Sequence, residues 1–271
     1  MGWWACFLSF SKQYLIKSEQ RGYCLQSEMA DNLKNYRSTN QISGNTCHSM
    51  KALMNLLSLK TVPTLFWTAP STFTIRPPFV SVVFLLLGLV IFGLGHAILF
   101  ASNLGVSPWM VLSQGIAVQT GWSIGWTIVV VSFLVLMFWI PLKQVPGLGT
   151  FINFFVVATV VDVSIKFLPS FDHFLAQSLQ SLIGIFFIAI GTGVYLIANL
   201  GPGPRDGLMT GLQRVTNFPL AYVRNGLELT VVIVGWCIGG TAGIATLTFA
   251  LFIGPATAIA MQFLNYSFPK P

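Results

Sequence analysis

Residues 79 to 101 read FVSVVFLLLGLVIFGLGHAILFA, a run with no charged side chain. About 20 consecutive apolar residues match the hydrocarbon thickness of a bilayer. Five further stretches, at 124–142, 149–168, 179–200, 219–240 and 243–265, also qualify by length and apolar content, 219–240 being the weakest because it includes Arg224 and Glu228. The segment PLKQVPGLG between the second and third holds two prolines, a lysine and two glycines, which favour a turn over one merged helix. Only 8% of the 271 residues are charged and 54% are hydrophobic, whereas a soluble domain carries roughly 25% charge. The expected fold is therefore all-α: a polytopic membrane bundle of about six spanning helices.

The net charge of +7 is unevenly placed. Residues 1–76 carry eight basic and three acidic side chains, and the remaining 195 residues contribute only +2. Because 17–60 is rich in Ser, Asn, Gln and Lys without a periodic apolar face, 1–76 reads as a poorly ordered or adventitious extension. Residues 77–271 then form the membrane domain. MGWWACFLSF lacks the basic start and small-residue cleavage site of a signal peptide, and its sixth residue, Cys6, does not suit an acylation signal. Met50 and Met54 lie near the onset of membrane-like sequence, so a later true start is expected. Cys6, Cys24, Cys47 and Cys237 show neither zinc spacing nor a disulfide framework.

Positively charged loops stay on the cytoplasmic side. With the amino terminus inside, Lys60, Arg76, Lys143, Arg205, Arg214, Arg224 and Lys270 fall inside and Lys166 falls outside. Both termini are expected to be cytoplasmic.

NLGVSPWMVL at 103–112 is echoed by NLGPGPRDGL at 199–208, an offset of 96. The same register pairs Gly88 with Gly184, Gly95 with Gly191, Gly115 with Gly211, Thr120 with Thr216, Gly147 with Gly243 and Thr150 with Thr246. A gapless match that includes Asn, Pro and Thr indicates two copies, about 79–168 and 179–265. Three crossings per copy would make them an inverted repeat, with the two motifs on opposite sides of the membrane.

Each motif precedes a stretch too short to cross. Ser107–Pro108 and Gly203–Pro204 are N-cap and first-turn pairs, so a short interfacial or re-entrant half-helix should start at each. A helix start presents free N–H groups and a positive dipole end, which attract anions. Asp206 falls where it could cap its own helix, while its counterpart Met110 cannot. The candidate substrate or ion pathway comprises Asn103, Gly105, Ser107, Pro108, Asn199, Gly201, Gly203, Pro204, Arg205, Asp206, Arg224 and Glu228. Rigid Gly-Pro turns joining spans are the competing explanation of both motifs.

Charges within spans point to function. Arg224 and Glu228 are four apart and can pair, as can Asp162 and Lys166; Glu228 is the favoured ion-coupling residue. His96 reads as a packed neutral side chain. The seven-residue spacing of Gly88 with Gly95, and of Gly184 with Gly191, suits close helix packing.

The runs LGVSPWMVLSQGIAVQTGWSIGWTIVVV, PGLGTFIN, NLGPGPRDGLMTGLQRVTN, VRNGLELTVVIVGW and FALFIGPATA resemble the YczE-like, YitT-related family of bacterial integral membrane proteins, over about 80–264. The resemblance implies a multi-span fold in the bacterial cytoplasmic membrane and brings no substrate. It also implies an aspartate after Pro-Trp, where this chain has Met110.

Two functional classes fit these features. The first is a secondary transporter or exporter of a small molecule, since no GxxxxGK[ST] motif supplies nucleotide energy. The second is a non-transporting membrane scaffold or accessory subunit for another complex. No HExxH motif occurs, so an enzyme, a metal site or a cofactor is not expected. Expected partners are the lipid bilayer, a small-molecule or anionic substrate, and either a second copy or a membrane partner protein. Nucleic acid is not an expected partner, because the basic residues lie in the extension and in loops that topology already accounts for.

Overall fold

The computed structural model describes residues 62–70, 72, 76–218 and 220–268. The expected disorder of the extension up to residue 61 lies outside them. Among the described residues there is no strand, and the order is α1 (Phe79–Ala101), α2 (Pro108–Thr120), α3 (Ile124–Trp139), α4 (Leu148–Ile165), α5 (Phe174–Ala198), α6 (Pro204–Thr216), α7 (Leu220–Cys237) and α8 (Ile244–Ser267). Helices α1, α4, α5 and α8 are long and apolar enough to cross a membrane. A fifth crossing arises if α2 and α3, bent by 116° at their junction, count as one broken span. Six separate crossings would additionally require α3, with 16 residues, and α7, with 18, to span.

Helices α1 and α5 form the central and most extensive contact. Their glycines make it possible. A Cβ on Gly88 would lie 2.7 Å from the Tyr195 backbone nitrogen, and one on Gly95 would lie 2.6 Å from that of Ile188. From the other helix, Gly184 meets Leu99 and Gly191 meets Phe92 in the same way. As numbering rises along α1 it falls along α5, so the two run antiparallel. Helix α4 packs on α1, α8 on α5, α7 on α2, and α3 on both α4 and α6.

Contacts recur at the sequence offset of 96. The Ala245 N–H donates to the Leu104 carbonyl at 3.0 Å, and the Gly149 N–H donates to the Leu200 carbonyl at 2.8 Å. Asn103 and Asn199 take φ of 57° and 53°, while Gly105 and Gly201 take 115° and 126°. A Cβ on Gly105 would approach the Gly243 nitrogen, and one on Gly201 the Gly147 Cα. The Gly147 and Gly243 N–H groups each donate to a threonine hydroxyl, of Thr150 and Thr246 respectively, at 3.2 Å.

Packing begins ahead of the expected division at 76/77. Leu65, Trp67 and Ala69 are buried with the bundle core, and Trp67 stacks on Phe84 at 4.3 Å. The Ala69 N–H donates to the Ala198 carbonyl, and the Asn199 side-chain amide donates to the Ala69 carbonyl, each at 3.0 Å. Thr72 adds a bond to Asn199 at 3.2 Å. Sequence alone did not mark this strap because its few apolar residues are too short a run to show a period.

The pairing of Asp162 with Lys166 is corrected. Asp162 instead accepts from the Ser123 hydroxyl and the Gly125 N–H at the start of α3, each at 2.5 Å. It meets N–H and O–H donors at a helix start, where a carboxylate is favoured over a solvated lysine contact. Lys166 is exposed.

Gly95→Ala should lower the thermal stability of the detergent-solubilised protein by about 1–3 kcal/mol, because rigid backbone faces the added methyl. Gly254→Ala, with no atom within 4 Å of the new Cβ, should be neutral or slightly stabilising in the same unfolding assay.

Candidate functional site

Pro108 and Pro204 start α2 and α6 with Ser107 and Gly203 as N-caps, and neither start has a side-chain capping bond. Both line one cavity of about 90 Å³ between α1, α2, α3, α4, α5 and α6. The extended residues that follow α1 and α5 are held by the Leu104 and Leu200 carbonyl bonds, which direct each motif back toward the centre of the bundle.

Arg205 and Asp206, in the first turn of α6, supply the cavity's charge. The Arg205 guanidinium lies over the Phe92 ring at 5.2 Å and its Nε is 3.7 Å from Asp206. Its side chain is 22% exposed, and Arg205 lines the cavity from the first turn of α6. Asp206 accepts from the Tyr195 hydroxyl at 2.9 Å; its carboxylate serves this side-chain contact and not a cap of its own helix. Gly203 makes room for this arrangement, since a Cβ there would sit 3.1 Å from the Asp206 carboxylate and 3.4 Å from the Asn153 amide.

Opposite α6, the first helix start contributes donors. Ser107 and Trp109 line the cavity, and the Ser107 hydroxyl oxygen and the Trp109 indole nitrogen are buried with no hydrogen-bond partner among the described residues. His96 also lines it, buried, with Nδ1 2.9 Å from the Phe92 carbonyl. That oxygen can only accept, so Nδ1 carries the proton. Apolar side chains of Ile128, Val131, Val135, Phe154 and Val157 complete the wall together with Met110, Ser113 and Ser132. The Trp139 indole N–H at the end of α3 donates to the Pro204 carbonyl at 2.9 Å and fixes the α6 start.

Of the twelve residues singled out from sequence, the fold brings Ser107, Gly203, Pro204, Arg205 and Asp206 to the cavity. Pro108 is buried at the first position of α2. Asn103, Gly105, Asn199 and Gly201 shape the chain reversals, and Asn199 also anchors the strap. Arg224 and Glu228 pair at 3.0 Å on α7; neither lines the cavity, but the Glu228 carboxylate is close enough to act electrostatically on Arg205. Sequence reasoning missed Asn153, Trp109 and Tyr195. Asn153 was open to discovery as an amide inside an apolar run. It also passed over GWSIG at 121–125, which has the GxSxG spacing of a serine nucleophile. Here Ser123 joins two helices and donates to Asp162, unlike the strand-to-helix elbow that such a nucleophile needs. No three His, Cys, Asp or Glu side chains gather as metal ligands among the described residues.

These features define a multi-pass, all-helical membrane protein with two short helices starting at a shared internal cavity. The chain belongs to the family of unknown function DUF6198, whose model matches residues 79–262. It is 38% identical over 207 residues to an uncharacterized protein of Haemophilus influenzae, covering 76% of this chain and 93% of that one. It is 29% identical over 186 residues to the uncharacterized membrane protein YczE of Bacillus subtilis, covering 66% and 86%. A second Bacillus subtilis protein, YyaS, is 24% identical over 187 residues, covering 67% and 92%. No solved structure matches.

Tyr195→Phe should destabilise the protein by about 1 kcal/mol in thermal unfolding, since the half-buried Asp206 carboxylate loses its hydroxyl donor.

Proposed function

We propose that the protein is a secondary transporter or exporter of a small molecule in the bacterial cytoplasmic membrane, with both termini cytoplasmic. The observation that carries this reading is the meeting of two half-helix starts at one cavity, each contributed by an equivalent segment 96 residues apart. Discontinuous helices whose N-termini face a central site, supplied by two halves of opposite direction, are the arrangement that alternating access uses. The antiparallel α1 and α5 and the paired backbone bonds support an inverted repeat of about six crossings in which α2 and α6 are re-entrant. Each re-entrant helix then runs outward from the cavity, α2 toward one face and α6 toward the other. The Arg224–Glu228 pair is the candidate for ion coupling.

Single cysteines at Thr120, Thr216 and Ser107, in a background lacking the four native cysteines, test both parts. In sealed vesicles of known orientation, an impermeant thiol reagent should reach positions 120 and 216 from opposite faces. It should reach position 107 from either face, because the cavity opens alternately. Labelling of 120 and 216 from the same face removes the inverted repeat. Protection of 107 from both faces favours the scaffold.

A further inference from the structure

We propose that the cavity between the starts of α2 and α6 binds a small monovalent anion, the substrate class for the transport reading on which this inference rests. Formal charge in the lining comes from Arg205 and Asp206, which cancel, and the Glu228 carboxylate that also acts on Arg205 is neutralised by its own pair with Arg224. Each helix start adds about half a positive charge. The cavity therefore presents about one net positive charge, the complement of a monovalent anion.

Hydrogen bonding points the same way. Ser107 is fully buried and its hydroxyl, with the Trp109 indole N–H, has no partner among the described residues. A buried donor left without an acceptor is costly, so these groups call for an acceptor in the cavity. The two helix starts lack side-chain caps and present further N–H groups. Of the acceptors at the wall, Asp206 is occupied by Tyr195 and Arg205, and neither it nor His96 Nε2 is hydrogen-bonded to Ser107 or Trp109. A cation would face a guanidinium and two positive helix ends, and a neutral solute would leave the charge uncompensated.

Size and wall chemistry narrow the class. About 90 Å³ is several times the ~10–15 Å³ that a single water requires, room for a small ion. Nitrate, formate or thiocyanate fit this scale. Ile128, Val131 and Val135 supply no hydrogen bonds, so an anion that enters must lose much of its hydration there. That cost rises steeply with charge and selects against sulfate.

The test uses the full-length protein in detergent, unfolded thermally at constant ionic strength with sodium nitrate, formate or thiocyanate exchanged for sodium gluconate. At least one of the three should raise the unfolding temperature saturably, and sodium sulfate should not. Ser107→Ala should raise the half-saturating concentration about tenfold, the worth of one hydrogen bond to a charged group, and Arg205→Gln should raise it further. If Arg205→Gln does not fold, the Ser107→Ala shift decides. Absence of saturable stabilisation, or an affinity unchanged in Ser107→Ala, overturns the anion site. Two-sided labelling of a cysteine at 107 without anion stabilisation would leave transport standing and remove the anion. Anion stabilisation with position 107 protected from both faces would keep the site and remove transport.

Discussion

The close antiparallel crossing of α1 and α5 is the constraint on which the rest of the bundle depends. Four glycines remove the side chains that would hold the two backbones apart, and backbone atoms fill the space. In an apolar surrounding, where burial of hydrocarbon gives no net drive between helices, such contact area is the main source of attraction. With the pair fixed, α4 and α8 dock on its two outer sides and their first turns reach the segments that follow α5 and α1. Those first-turn N–H groups are orphans of helix geometry. The carbonyls of Leu200 and Leu104 satisfy them, and in doing so turn each Asn-Leu-Gly segment inward.

That reversal explains why the site lies inside the protein. A helix end placed at the surface has water to satisfy its N–H groups. Ends brought to the interior of an apolar bundle must find partners there, and the cavity gathers two of them with Arg205, Ser107 and Trp109. Phe92 covers the guanidinium face, Tyr195 holds Asp206, and Trp139 holds the Pro204 carbonyl. The two copies differ where it matters chemically: Arg205 and Asp206 stand where the first copy has Trp109 and Met110. One helix start thus brings charge and the other brings uncharged donors.

Much of this was legible in the residues. The short helices begin at Pro108 and Pro204 as the Ser-Pro and Gly-Pro pairs require, and end at Gly121 and Asn217 in left-handed conformation. The glycine spacing marked the central crossing, and Arg224 does pair with Glu228 one turn away. Those features depend on neighbours within a few residues, or on one face of one helix. Asp162 shows the limit: the local rule offered Lys166, while the partner is a helix start 37 residues earlier, at Gly125. The strap at Leu65 to Ala69 was equally hidden, because its burial depends on α5 and Asn199, more than a hundred residues away.

By itself the sequence determined an all-helical membrane protein, the places where its helices start, and the equivalence of segments 96 residues apart. Those properties follow from hydropathy, from proline and glycine backbone preferences and from the chain's own repetition, all of which act locally. The tertiary structure decided that the two motifs share one cavity and that Arg205 belongs in it. It also decided that Asn103 and Asn199 take left-handed turn conformations and do not line that cavity. Convergence of distant segments depends on which carbonyl receives which orphan N–H and on how closely two glycine faces can approach. No residue carries that information alone, since it exists only once the helices have packed.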